Sequence, residues 1–293
     1  MDNVFEIEFD AAARLVNPAQ ESVLAQALSA SPRHIVVLAH GWNVDMPEAL
    51  DFYSGFLRAF AQVDADAARS AMVIAVLWPS KKFSRTASRL LNLATFFTMK
   101  DRAGKIGQDA LNPLIARLQA QSSPATHFHL VGHSFGARMV TATVDGACQL
   151  RVSSLLLLQA AYSQNGLAVN FDGRGTNGFF HRILTERKVG GPILVTHSRR
   201  DEALGLAYPL ASRLHGPDAA RIGDARDLYG SMGMNGAQHV DATCLKLGDR
   251  YEFRGAPGQV FNLNGDAVIT SHGDVARPET TALLSAAIRQ CAT

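Results

Sequence analysis

Four short stretches carry residue types that could do chemistry together. Gly132-His133-Ser134-Phe135-Gly136 sets a serine between two glycines at the end of an apolar run and just before a helix-compatible one. A nucleophile on so tight a strand-to-helix turn has a strained backbone. Side chains two positions to either side of it would collide with each other and with the neighbouring strand, so glycines stand there. The turn exposes the Ser134 hydroxyl near the positive end of the next helix. A serine hydroxyl is a weak nucleophile alone and needs a histidine base, a carboxylate and oxyanion donors. The other stretches offer them: His40-Gly41-Trp42 after one apolar run, His197-Ser-Arg-Arg-Asp201 after another, and Ser271-His272-Gly273 before the last helical segment.

The elements around these stretches alternate. Val4, Phe5, Ile7 and Phe9 among acidic residues predict an opening edge strand, and residues 19–30 a short helix. Ile35–Leu38 is a continuous β-branched run and Met72–Leu77 a second buried strand, while Phe128, Leu130 and Val131 alternate into the turn. Val152–Gln159 and Pro192–His197 read as further strands, and most of the five have the pattern of strands buried on both faces of a parallel sheet. Weaker strands are read at Val240–Leu247 and Gln259–Leu263. Asp45 is the expected N-cap of a helix with Pro47 in its first turn, and its apolar stripe is Leu50, Tyr53, Leu57 and Phe60. Further helices are expected at residues 107–120, where Pro113 either starts the helix with Asn112 as cap or kinks it, at 137–147, and at Pro278–Gln290, which closes the chain. Residues 161–190 read as an irregular excursion with a short helical part at 181–186, and 216–236, rich in glycine, as loop.

Residues 81–106 interrupt this rhythm. Seven lysines and arginines surround Leu90, Leu93, Ala94 and Phe97, the spacing of a basic amphipathic helix. The plainer expectation is a helix packed on the core; the sharper one is a lid over an acyl pocket, and 161–190 is a second candidate lid. Strands alternating with helices predict an α/β fold with a mostly parallel sheet, in one domain spanning residues 1–293.

Composition fits that fold. A chain of 293 residues buries roughly 75% of its unfolded surface and needs no staples. Hydrophobic residues make up 47% and charged ones 18%, which excludes wholesale disorder. A net charge of +2 with no long basic run gives no case for a nucleic-acid partner. The three cysteines, Cys148, Cys244 and Cys291, are widely separated and suggest neither a disulfide framework nor a zinc site. His127-x-His129 lacks the further ligands of a metal centre, and no nucleotide-binding motif occurs, so no cofactor or metal is expected. The acidic, alternating start is unlike a signal peptide, and no apolar run is long enough to span a bilayer. The expectation is a cytoplasmic protein without stable membrane insertion, acting on a small molecule; a homo-oligomer is left open.

From residue 33 to 291 the chain resembles the α/β-hydrolase fold. HGWN, WPS, GHSFGAR and the S-x-x-D-x-A-L of Ser198–Leu204 together resemble a little-characterised bacterial branch of serine hydrolases. The order serine, aspartate, histidine is that of α/β-hydrolases. The resemblance implies Ser134 as nucleophile, His272 as general base and Asp201 as orienting carboxylate. It implies an oxyanion hole from the amides of Phe135 and, after the HG strand, Trp42, whose side chain is free to wall an acyl pocket. His239 rivals His272, and Asp241 and Asp274 rival Asp201; Asp201 could equally be only a helix cap. The reaction implied is cleavage of a carboxylic ester through an acyl-enzyme. Thioesters, amides and acyl transfer use the same triad. A binding module that kept the scaffold, and a lipase docking its basic helix on membranes, are the readings from other classes.

Overall fold

The computed structural model describes residues 3–80, 89–204, 230–253 and 257–291, and for residues 89–94 the backbone alone. Among the described residues eight strands form one sheet in the order β1-β3-β2-β4-β5-β6-β8-β7, and every neighbouring pair is parallel. They are β1 (Val4–Glu8), β2 (His34–Ala39), β3 (Met72–Leu77), β4 (His127–His133), β5 (Ser154–Leu158), β6 (Ile193–His197), β7 (Ala242–Lys246) and β8 (Val260–Asn264). The opening strand lies at one edge, as its acidic alternation predicts, and β7, mostly exposed, lies at the other. β2 through β5 are buried at nearly every residue, which is why β3 and the Ile35–Ala39 and Leu155–Leu158 stretches are unbroken apolar runs, while β4 carries buried histidines within its apolar pattern.

Side-chain alternation splits the core in two. Ile35, Val37, Ile74, Leu130, Leu155 and Val195 face one layer. Val36, Leu38, Val73, Val131, Leu156 and Leu194 face the other. The first layer is covered by α1 (Ala19–Ala27), α4 (Arg89–Lys105), α5 (Asn112–Gln121) and α6 (Phe135–Val144). The second is covered by α2 (Met46–Val63), α3 (Ala65–Ser70) and the closing helix α9 (Pro278–Gln290). The shorter α7 (Arg182–Thr185) and α8 (Met232–Asn235) lie in the connections around β6.

The chain runs from β2 outward to β3 and then crosses back to β4 on the other side of β2. The direction of winding therefore reverses between β2 and β4. In open parallel sheets that crevice, at the carboxyl ends of the strands, is where function sits. The HGW loop leaves β2 there and the GHSFG turn leaves β4.

Three expectations are corrected. The buried face of α2 is Ala49, Tyr53, Phe56, Leu57 and Phe60, whereas Leu50 lies on the rim and is 37% exposed. Its position one residue past Ala49 turns it about 100° from Ala49, to the margin of the stripe. The Asp45 cap itself is present as a full capping box with Glu48. Asn112 does not cap α5. Its side chain donates to the carbonyls of Thr143 (2.8 Å) and Cys148 (2.9 Å) and accepts from the Cys148 amide (2.9 Å), tying α5 to the end of α6. Pro113 needs no such cap, because α4 continues through a π-helical stretch, Ile106–Leu111, directly into α5. Finally, residues 232–235 of the expected glycine-rich loop form the helical turn α8.

Residues 81–88, which hold Lys81, Lys82 and Arg85 of the expected basic helix, lie outside the described residues, as do the side chains of Leu90, Leu93 and Ala94 and residues 205–229, which include 216–229 of the expected loop. In the described part of α4, Phe96, Met99 and Ala103 are buried in the core layer beside α6. Among the described residues no helix is long and apolar enough to cross a membrane.

Candidate active site

Ser134 occupies the one residue between β4 and α6, with φ 57° and ψ −121°. A non-glycine residue at positive φ persists only where its surroundings over-determine it. Here the Ser134 amide donates to the Leu158 carbonyl (3.0 Å), and the Ser134 carbonyl accepts from the amides of Ala137 (3.1 Å) and Ala161 (3.2 Å). The flanking glycines are required by closeness. A Cβ on Gly132 would lie 2.3 Å from the Gly136 carbonyl oxygen, and one on Gly136 only 2.2 Å from that of Ala39 in β2. Gly41 is likewise pressed on the turn, since a Cβ there would meet the Ser134 Cβ at 2.9 Å.

The structure brings Ser134, His272 and Asp201 together from three distant segments. His272 Nε2 is 2.8 Å from Ser134 Oγ, and His272 Nδ1 is 2.7 Å from Asp201 Oδ2. The Asp201 side chain is wholly buried and that of His272 is 25% exposed, so the histidine forms the solvent-facing side of the group. Asp201 does both things its position suggests. One oxygen, Oδ1, accepts from the Leu204 amide (3.1 Å) as a helix cap, while Oδ2 accepts from His272. Burial alone would raise this carboxyl. The hydrogen bond and charge of His272, then the Leu204 amide and Gln159, hold it below the usual carboxylate value.

The rivals are elsewhere. His239 and Asp241 are exposed, and Asp274 pairs with Arg277 (2.5 Å) while accepting from Thr270. His129 is buried in β4, bonded to His34 (3.2 Å) and Ser154 (2.8 Å) at the far, amino end of the sheet, and His127 meets Ser153 (3.2 Å). His197 ends β6 itself. Among the described residues there is no group of three or more His, Cys, Asp or Glu side chains fit to hold a metal.

Phe135 is the first residue of α6, where an amide has no partner within the helix. Trp42 lies in the loop after β2, half-buried, and its amide has no hydrogen-bond partner among the described residues. Its ring packs 6.0 Å from Phe135 and 5.8 Å from Phe96 of α4; Phe96 and Phe135 are 5.0 Å apart. The interrupting helix thus stands directly beside the residue after Ser134.

Two further side chains position this group without having been assigned roles from the sequence. His133, inside the motif, is buried, and its Nε2–H donates to the His272 carbonyl (2.8 Å), with the two rings 4.9 Å apart. Burial first, and then the neighbouring His272, push the His133 imidazole down to about 3, so it stays neutral and holds this donor tautomer. Gln159 follows β5, with φ 43° and no exposure. Its Nε2 donates to Asp201 Oδ2 (3.1 Å) and to the Gly233 carbonyl (2.9 Å), and its Oε1 accepts from Thr196 Oγ1 (3.1 Å). The available signal was a lone amide closing the otherwise apolar Leu155–Leu158 run.

Residues 17–252 match the family described as "Alpha/beta hydrolase of unknown function (DUF900)". The chain belongs to this α/β-hydrolase family. The match takes in Trp42, Ser134, Phe135 and Asp201 and stops short of His272. No curated protein matches the chain.

Proposed function

We propose that this protein is a serine hydrolase that cleaves a carboxylic ester through an acyl-enzyme intermediate, with Ser134, His272 and Asp201 as its triad. One observation carries the reading: a single imidazole bridges a serine hydroxyl at 2.8 Å and a buried carboxylate at 2.7 Å. Those are the distances at which a base can take the hydroxyl proton while the acid fixes its tautomer. Membership of an α/β-hydrolase family supports it.

In this reading Ser134 Oγ attacks the ester carbonyl carbon as His272 Nε2 accepts its proton. The carbonyl oxygen becomes an oxyanion, held by the Trp42 and Phe135 amides and favoured by the N-terminus of α6. Asp201 stabilises the imidazolium. Collapse of the tetrahedral intermediate breaks the bond to the leaving alcohol, whose oxygen takes the proton from His272. Water, deprotonated by the same histidine, then attacks the acyl carbon, and Ser134 leaves with the proton restored. Ground-state and transition-state groups differ most at the oxyanion, so its two donors carry much of the rate enhancement.

The described sheet and its two core layers support reading residues 1–293 as one domain. The burial of Phe96 against Phe135 supports a fixed wall, not a moving lid, for this part of α4. The test is a nitrophenyl acetate time course at neutral pH. A burst of nitrophenol near one equivalent per chain, followed by slower turnover and absent in Ser134→Ala and His272→Ala, is expected. Matched thioester and amide substrates rank the acyl class. A folded wild-type protein with no turnover of any of the three would overturn the reading.

A further inference from the structure

We propose that Ser80, in the Trp78-Pro79-Ser80 segment after β3, is a positioning residue of the oxyanion hole that holds the Trp42 amide through the two residues following it. The inference rests on the reading that Trp42 supplies an oxyanion donor.

Trp42 belongs to a short bridge with both ends fastened. At the near end, the His40 amide donates to the Tyr53 hydroxyl (3.0 Å), which itself donates to the Val76 carbonyl of β3. The His40 carbonyl accepts from Trp78 Nε1 (3.1 Å), and the two rings stack 5.6 Å apart. At the far end stands Ser80, with no solvent exposure. Its Oγ donates to the Val44 carbonyl (2.7 Å) and accepts from the Val44 amide (3.2 Å), while its own carbonyl accepts from the Asn43 amide (3.2 Å). Gly41 and Trp42 hang between these anchors, with Gly41 abutting Ser134.

A hydroxyl is the smallest side chain that can both donate to and accept from one residue's backbone, which is what this clamp requires. Asn43 has φ 62°, a left-handed conformation that asparagine tolerates better than most residues but adopts less readily than the right-handed one, and the bonds to Ser80 on either side of its side chain fix it there. Relaxation of Asn43 would rotate the peptide next to Trp42 and re-aim its amide. An oxyanion donor acts only when aimed at the place where charge develops, and a misplacement of ~1 Å can cost about 100-fold.

The test compares wild type with Ser80→Ala, which deletes one oxygen and leaves the Asn43 bond intact. On a short nitrophenyl ester kcat is expected to fall about 10- to 100-fold with KM within about twofold. Affinity for a trifluoromethyl ketone, which forms an oxyanion adduct, is expected to fall in parallel. Thiocarbonyl sulfur accepts hydrogen bonds weakly, so the preference for the ester over its thionoester analogue narrows in Ser80→Ala. A merely structural role would lower both substrates equally. Trp78→Phe, which removes the donor to the His40 carbonyl, is expected to narrow the same ratio from the other end. If wild type hydrolyses through Ser134 but both variants keep the wild-type ratio and ketone affinity, the Ser80 assignment falls while the hydrolase reading stands. If wild type does not hydrolyse, the reading beneath it falls instead.

Discussion

Adding one methyl group at Gly136 tests the geometry that exposes Ser134. In Gly136→Ala the new Cβ would sit 2.2 Å from the Ala39 carbonyl oxygen and 2.5 Å from that of His40, where ordinary contact begins near 3.4 Å. Both oxygens belong to the backbone at the end of β2, which is paired on both sides, by β3 and β4. The strand cannot yield, so the start of α6 must move by roughly 1 Å. That movement carries Phe135 and Ser134 with it. We expect kcat/KM on a short ester to fall about 100-fold and stability to fall by about 1–3 kcal/mol. Urea melts and steady-state kinetics on the same preparation separate the two effects. Gly55→Ala in α2 is the control: its Cβ meets only the Ala276 Cβ, at 3.7 Å, and replacing a mid-helix glycine should add about 0.5–1 kcal/mol with unchanged activity. A Gly136→Ala protein with wild-type kcat/KM and wild-type stability would refute the close-approach reasoning.

Gln159→Leu removes one donor from Asp201, one of the two donors to the Gly233 carbonyl and the acceptor of the Thr196 hydroxyl, so it should cost about 1–3 kcal/mol in urea melts and lower kcat more than it raises KM. Acid sensitivity follows from buried neutral histidines: burial pushes His40 down to about 4 and His129 and His133 down to about 3. Because these folded values lie below the unfolded value of about 6.5, the unfolded chain binds more protons. Their contribution is therefore fully present above pH ~6.5 and is lost as pH falls, toward about 4 for His40 and about 3 for His129 and His133, at up to about 1.4 kcal/mol per histidine per pH unit. Urea melts at pH 7.5, 6 and 5 should show that decline, and His129→Gln should make it shallower; a flat profile contradicts it.

Strand positions and the residues of the site were legible for different reasons. β3 and most of β2 and β5 are apolar on both faces, so their pattern is continuous, whereas β4 is recognised by its apolar residues leading into the glycine-flanked turn. Ser134 was legible because its two glycines stand where a Cβ would collide with neighbouring backbone. Asp201 and His272 could be placed only by chain order and strand ends, since nothing local distinguishes Asp201 from any capping aspartate, and here it also caps. His133, Gln159 and Ser80 were not assigned roles because each acts through a backbone group or side chain brought in from far along the chain. No spacing rule joins His133 to the His272 carbonyl. Asn112 misled because an asparagine before proline reads as a local cap, while its actual partners lie beyond α6.

The central claim is that Ser134 is a nucleophile activated by His272, and covalent capture tests it most directly. The folded protein at neutral pH is treated with a fluorophosphonate, digested, and the modified peptide located by mass spectrometry. We predict one phosphonyl group, on Ser134, absent from Ser134→Ala and strongly slowed in His272→Ala. A folded wild-type protein that remains unlabelled, or that carries the label on another residue, would contradict the account.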